Sequence, residues 1–180
     1  DVGRGNEPVL LAGLGEIESM TMSGGGLCAI TKAKKIHCDS VSKLIKGTKP
    51  VDLGAVKAVR WSGSTGGLIS SLGQAALWAR PDWNKPDEVK KQTLTGLSDA
   101  VSLAVDGATA CAVRRSGKVG CVGYSYRTFD KKDPVKPAAM IEVPGLTDAV
   151  SIAGESGEMC VVRKTGEVSS APLFIDDSPN

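Results

Sequence analysis

The chain has 180 residues, 41% of them hydrophobic and 23% charged, so it is long enough and apolar enough to bury the core of one domain. Its formal net charge of +2 gives no electrostatic reason to expect nucleic acid or an acidic membrane as a partner. Aromatic residues make up only 4%, which argues against a surface that stacks sugars or bases, and the longest apolar runs are too short to span a bilayer.

Short strands joined by tight turns are the elements that the sequence predicts along its whole length. The chain contains 22 glycines, many of them in Asp-Gly, Ser-Gly and Gly-Gly pairs. Glycine supplies the positive φ angles that tight turns require, and no long stretch has helical periodicity. We therefore expect an all-β fold.

One segment occurs four times along the chain. It runs over residues 13–20, 52–59, 96–103 and 145–152. Its shared leucine stands at positions 14, 53, 97 and 146, which gives spacings of 39, 44 and 49 residues. A period of 40 to 50 residues in an all-β chain is typical of propeller blades.

Each copy continues with two more strands around an X-Gly turn. The second and third strands are predicted at 28–30 and 36–38 in copy one, and at 111–113 and 119–123 in copy three. Copy four repeats the second strand at 160–162. Copy two is degenerate, with Leu68 and Trp78 near the places where the other copies have cysteines.

The pattern G-L-x-D-A-V-S-[LI]-A, then C-A-V, then x-G-x-V-x-C-x-G resembles the repeat of the regulator of chromosome condensation family, above all its bacterial extracellular members. The resemblance covers about residues 8–175 and implies one domain of four repeats, at about 8–46, 47–90, 91–137 and 138–175. It implies a β-propeller-like array of four blades. The family commonly has seven blades, so this chain departs from the pattern.

Three arrangements fit four blades: a small closed ring, an open arc with covered ends, or a half-ring completed by a second subunit. Exposed strand edges favour aggregation, so the first and last blades should be covered. The apolar segments 9–11 and 173–175 could pair and close the ring within one chain, which is the arrangement we expect, with a homodimer as the next.

Two pairs of cysteines stand ten residues apart at equivalent places, Cys28 with Cys38 and Cys111 with Cys121. Each pair straddles a hairpin turn, so its members should face each other across adjacent strands, and we predict two disulfides. Buried free thiols are the alternative, and the spacing does not suit zinc. Cys160 has no cysteine partner in its copy, and we expect a buried thiol, with an intermolecular link as the alternative. Disulfides would place the protein in an oxidising compartment.

Three of the predicted hairpin tips are basic, which would form an arc of positive charge on one side of a propeller. Such an arc could attract an acidic protein, although exposed tips need polar residues in any case. The cations of this basic arc are Lys32, Lys34, Lys35, Arg114, Arg115, Lys118, Arg163 and Lys164.

Long inserts follow the third strand in copies two and three and contain most of the aromatic residues. We expect the partner-binding residues there, at Trp83, Tyr124, Tyr126 and Arg127, because aromatic and arginine side chains on loops are typical interface anchors. Packing over the outer strand of a blade is the equal alternative.

No catalytic or metal-binding set breaks the repeat. The single histidine, His37, should point away from Cys38, because neighbouring residues of a strand lie on opposite faces. We therefore predict a non-enzymatic propeller module without cofactor or metal, secreted, periplasmic or on the cell surface, that recognises a protein partner through blade loops. A half-propeller that homodimerises as a structural or surface component and a secreted enzyme inhibitor are the alternatives.

Overall fold

The fold was analysed in a computed structural model. It describes residues 11, 14–23, 26–40, 43–44, 47–62, 65–80, 88–129, 136–155 and 157–172.

Four antiparallel sheets follow one another along the chain, and each is a simple meander that we call a blade. Blade 1 contains β1 (Ile17–Ser23), β2 (Gly26–Thr31) and β3 (Ile36–Ser40). Blade 2 contains β4 (Val56–Ser62), β5 (Thr65–Ser70), β6 (Ala75–Ala79) and β7 (Lys90–Thr93). Blade 3 contains β8 (Ala100–Val105), β9 (Thr109–Arg114), β10 (Val119–Gly123) and β11 (Ile141–Glu142). Blade 4 contains β12 (Ala149–Glu155), β13 (Glu158–Arg163) and β14 (Val168–Pro172).

The four blades and the all-β fold are as the sequence predicts. Strands β7 and β11 lie just beyond the repeat ends expected at 90 and 137, because blades 2 and 3 take their fourth strand from the segment before the next repeat. A 3-10 helix, Tyr126–Phe129, follows β10.

The apolar core lies between successive blades. The repeated leucine is buried in every copy, as Leu14, Leu53, Leu97 and Leu146. Leu53 packs in the cluster between blades 1 and 2, Leu97 between blades 2 and 3, and Leu146 between blades 3 and 4. Blades 2 and 3 therefore bury one face against the blade before and the other against the blade after, whereas blades 1 and 4 each pack one face against a neighbouring blade.

The hairpin between the second and third strands has the same backbone geometry in every blade. A glycine with positive φ stands in it at Gly73, Gly117 and Gly166, and Lys34 occupies the same place with φ 61°. The carbonyl oxygen of Gly73 accepts a hydrogen bond from Ala100, the first residue of β8, at 2.9 Å. Gly117 accepts one from Ala149 at 2.9 Å, so these tips hold the next blade in place.

Closure of the array was expected from the apolar segments 9–11 and 173–175. All of those residues except Leu11 lie outside the described part of the chain, and Leu11 packs beside Leu14 on blade 1. Closure within one chain stays a prediction, and we call the row of four described blades the arc.

Candidate functional site

Both predicted disulfides form. Cys28 is bonded to Cys38 across β2 and β3, with Cα atoms 4.1 Å apart, and Cys111 to Cys121 across β9 and β10, with Cα atoms 4.0 Å apart. The residues of each pair are direct cross-strand partners, as the ten-residue spacing predicts. Each disulfide packs against the blade that follows its own.

Copy two has no cysteines, and the sequence analysis placed their equivalents one residue too far along the chain, at Leu68 and Trp78. The positions equivalent to the cysteine pair are Gly67 and Leu77, which face each other in β5 and β6. Trp78 instead pairs with Gly66 and faces blade 1. Its ring lies 4.9 Å from the ring of Trp61, which belongs to β4 of the same blade as Trp78. A shift of one residue turns a side chain to the opposite face of a sheet.

Cys160 was expected to be buried, and the structure shows it exposed. It lies opposite Ser170, at the position that Cys28 and Cys111 hold in their own blades. Those two cysteines are covered by the following blade. No described residue forms a blade after β14, so the same face of blade 4 faces solvent.

Most of the basic arc is paired with carboxylates. Arg114 donates to Asp99 at 2.8 Å and Arg163 to Asp148 at 2.9 Å. The two aspartates stand at equivalent positions of the repeat, and each binds an arginine of its own blade. The three pairs that involve lysine are Lys32 with Glu16, Lys34 with Glu18 and Lys118 with Glu142. The arc is thus less positive than its eight cations suggest, and its role in binding stays a prediction.

Of the four predicted loop anchors, Tyr124 is the one whose side chain lies in the described part of the structure. Tyr124 is buried, and its hydroxyl donates to the carbonyl oxygen of Asp106, so it takes the packing alternative. Burial, together with the Asp106 carboxylate, raises the pKa of the Tyr124 hydroxyl above its usual range. Tyr126 and Arg127 are the first two residues of the 3-10 helix, and their side chains lie outside the described part of the structure. Trp83 also lies outside it.

His37 is a buried strand residue, as its alternation with Cys38 predicts. Its Nδ1 donates to the carbonyl oxygen of Thr48 at 3.1 Å. Burial lowers the pKa of the imidazole, and the Thr48 carbonyl opposes part of that effect. Among the described residues, no group of three or more His, Cys, Asp or Glu side chains could hold a metal ion.

A buried ion pair that the sequence analysis missed connects blades 1 and 2. Arg80, at the end of β6, lies 3.4 Å from a carboxylate oxygen of Asp39 on β3, and both side chains are at least nine-tenths buried. The guanidinium also lies over the ring of Trp61, 5.9 Å from its centroid. Neither residue recurs at its position in the other copies of the repeat, and this difference is the signal that could have identified the pair.

The two ends of the arc expose apolar side chains at positions that are buried elsewhere. The leading face of blade 1 exposes Ile17, Met20 and Met22 by 36%, 69% and 61%. On the same face Leu27 and Ala29 are buried beside Leu14 and Leu44. Met20 has the place of the buried residues Val59, Leu103 and Ile152 in the other inner strands. The trailing face of blade 4 consists of Cys160, Val162 and Val168.

The equivalents of the trailing face in blade 3 are Cys111, Val113 and Val119, and all three are fully buried. The hairpin tips agree with this difference. A Cβ built on Gly117 would lie 2.5 Å from the Thr147 carbonyl oxygen of the next repeat, whereas one built on Gly166 has nothing within 4 Å.

A cavity of about 390 Å³ lies on the concave side, at the axis of the arc. All four inner strands contribute to its wall, through residues that include Thr21 from β1, Arg60 from β4, Leu103 from β8 and Ala153 from β12.

No protein-family model and no curated protein matches the sequence. Solved structures match its fold. Prp20p from Saccharomyces cerevisiae has a TM-score of 0.60 at 11% identity, with 87% of this chain and 45% of Prp20p covered. Human WBSCR16 has a TM-score of 0.63 at 15% identity, with 91% and 49% covered. The fold is a β-propeller like that of Prp20p, the yeast RCC1.

The computationally designed protein Ika4 has a TM-score of 0.58 at 13% identity, and the match covers 94% of this chain and 99% of Ika4. At such identities these similarities show the fold alone. The chain spans about half the length of Prp20p and WBSCR16, at 45% and 49% of those chains. In the described part of this propeller, no helical segment is long and apolar enough to cross a membrane.

Proposed function

We propose that this chain is a non-enzymatic propeller module that binds protein and works outside the reducing cytoplasm, as a secreted, periplasmic or cell-surface protein. Its two disulfides support the compartment, because cytosolic thiols are kept reduced. Prp20p, the yeast RCC1, is described with binding properties to Gsp1p and histones, and a second structure has it bound to Kap60. Protein ligands of proteins with this fold support the same class of ligand here.

The insert after β10 is the observation that favours recognition through loops. Tyr124 and Phe129 are buried on either side of Tyr126 and Arg127 in the sequence, and the Lys90 ammonium donates to the Phe129 carbonyl oxygen at 3.1 Å. Tyr126 and Arg127 lie between these anchors. A loop that is already held in place loses less conformational entropy when a partner binds, so more of the contact energy appears as affinity.

Alanine variants at Tyr126, Arg127 and Trp83 test this function. Tagged protein is used to capture partners from native extract, and the captured proteins are quantified by mass spectrometry. We expect the triple variant to capture at least about tenfold less of a partner than the original chain does, because truncation of hot-spot residues weakens binding by such a factor. The control is Lys136→Ala, since Lys136 is exposed near the same insert. Equal capture by the triple and control variants would contradict loop recognition.

A homodimer of half-rings is a second candidate, and the exposed ends of the arc favour it. The leading and trailing faces carry the apolar positions by which blades pack within the chain. The trailing face of one copy could therefore bind the leading face of another. Two such contacts, related by a twofold axis, would close a ring of eight blades.

Size-exclusion chromatography with light scattering separates the two candidates. A dimer has twice the chain mass of 18.6 kDa. Met20→Lys or Val162→Lys should convert it to a monomer, because each places a charge in an apolar contact. Leu72→Lys is the matched control, since Leu72 is 87% exposed at a hairpin tip away from both faces. A monomeric original chain, or a dimer that survives both variants, would rule out the half-ring assembly.

A further inference from the structure

One position of the repeat lines the axial cavity in all four blades, and only blade 2 has a charged residue there, Arg60. Its cross-strand partner is Gly67, and the equivalent inner-strand residues opposite Cys28, Cys111 and Cys160 are Thr21, Ala104 and Ala153. Three of the four blades thus have a small side chain where blade 2 has an arginine. All four residues line the same cavity.

The Arg60 guanidinium has no carboxylate partner among the described residues. Its one hydrogen bond runs from Nη1 to the carbonyl oxygen of Val59, 3.1 Å away. Arg114 and Arg163, by contrast, each donate to an aspartate of their own blade. Burial lowers the pKa of Arg60, since the charged form is partly removed from water. An anion that reaches a half-buried cation without a counter-ion stabilises the charged form of that cation.

The rest of the cavity wall fits the stem of such an anion. Leu103, Val105 and Met22 supply apolar surface, and the Thr21 hydroxyl is a second hydrogen-bond donor. Glu158 lines the blade 4 side of the same cavity, and its charge opposes a second negative group there. The wall therefore suits one carboxylate on an aliphatic stem.

We propose that the axial cavity is a binding site for a carboxylate, which Arg60 holds with its guanidinium fork. A guanidinium binds a carboxylate through two parallel N–H···O bonds, and the apolar surroundings strengthen the attraction. The carboxylate could belong to a free aliphatic acid or to an acidic side chain of a protein. This site does not depend on recognition through the loops, because Arg60 and Thr21 belong to the inner strands β4 and β1.

NMR titration of the full chain with defined probes tests the site. The probes are pentanoate, its neutral isostere pentanamide, and the blocked peptide acetyl-Gly-Glu-Gly-amide. We expect pentanoate to shift the amide signals of Arg60, Thr21 and Leu103 in a saturable manner. Pentanamide should bind at least about tenfold more weakly, because it lacks the negative charge that strengthens hydrogen bonds from a guanidinium.

Arg60→Gln should weaken pentanoate binding by the same factor or more. Lys57→Gln is the matched control, because it removes one positive charge from the same strand at an exposed position outside the cavity. If Arg60→Gln does not fold, Arg60→Lys keeps the charge without the fork and should bind more weakly than the original chain.

Binding of the peptide together with pentanoate would assign the site to acidic side chains of proteins, and binding of pentanoate alone to free carboxylates. The proposal is overturned if neither probe gives saturable shifts, if pentanamide binds as well as pentanoate, or if the Arg60 and Lys57 variants bind alike. Failure here would leave the loop and dimer tests unaffected, because those use other residues.

Discussion

Asp39→Leu should destabilise the contact between blades 1 and 2 severely. The Asp39 and Arg80 side chains are only 9% and 4% exposed, so the substitution leaves a guanidinium buried without its counter-ion. Removal of one partner of a buried ion pair costs about 3–5 kcal/mol. A domain of this size has roughly 5–15 kcal/mol of stability, so the variant should lose about a fifth of it or more.

The double variant Asp39→Leu, Arg80→Met should regain most of that loss, because two apolar side chains replace the pair without leaving a buried charge. Lys43→Met is the control for the surface part of the network. Its ammonium lies 3.6 Å from Asp39, but the side chain is 57% exposed. An ion pair of that kind contributes about 1 kcal/mol or less.

Urea unfolding measures these differences, with tryptophan fluorescence and circular dichroism recorded together so that coincident curves establish a two-state transition. Trp61 and Trp78 lie in the contact itself, so their fluorescence reports on it directly. The reasoning is refuted if Asp39→Leu and Lys43→Met cost the same, or if the double variant is no more stable than Asp39→Leu.

Three further predictions follow from the core. Replacement of Cys111 and Cys121 by alanine removes a crosslink across a separation of 10 residues. Loop-closure entropy predicts that the free energy of unfolding in urea then falls by about 2.7 kcal/mol. A fall below about 1 kcal/mol would be the contrary result. Tyr124→Phe removes the hydrogen bond to the Asp106 carbonyl and should cost about 1 kcal/mol in the same assay, whereas an unchanged midpoint would contradict that bond. The pKa of His37 is lowered in the folded state, so the unfolded chain binds the proton first and the free energy of unfolding should fall as the pH drops below about 6.5. His37→Gln should reduce that fall between pH 7.5 and 5.5, and the same pH dependence in both proteins would exclude His37 as its source.

The repeat made most of the fold predictable from the sequence. Blade number, the strands around each X-Gly turn and the two disulfides all depend on local spacing, which recurs along the chain. Copy two was misaligned because Trp78 and Leu68 were matched by residue type, and cross-strand pairing assigns the cysteine places to Gly67 and Leu77 instead. Residue type does not fix strand register.

The site depended on contacts that the sequence does not display. Cys160 is exposed because no described blade follows its own, which its local pattern could not indicate. Tyr124 is buried because its hydroxyl reaches the Asp106 carbonyl from the preceding strand connection. Lys118 finds its carboxylate 24 residues further on, at Glu142. Arg60 was identifiable only after the register showed which residues share its position.

Disulfide mapping tests most directly whether blades 1 and 3 are hairpin meanders in the register described. The protein is alkylated without reduction, digested, and analysed by mass spectrometry. We predict peptides that join Cys28 to Cys38 and Cys111 to Cys121, with Cys160 alkylated. A bond between cysteines of different blades, or a bond that includes Cys160 in the monomer, would contradict the account.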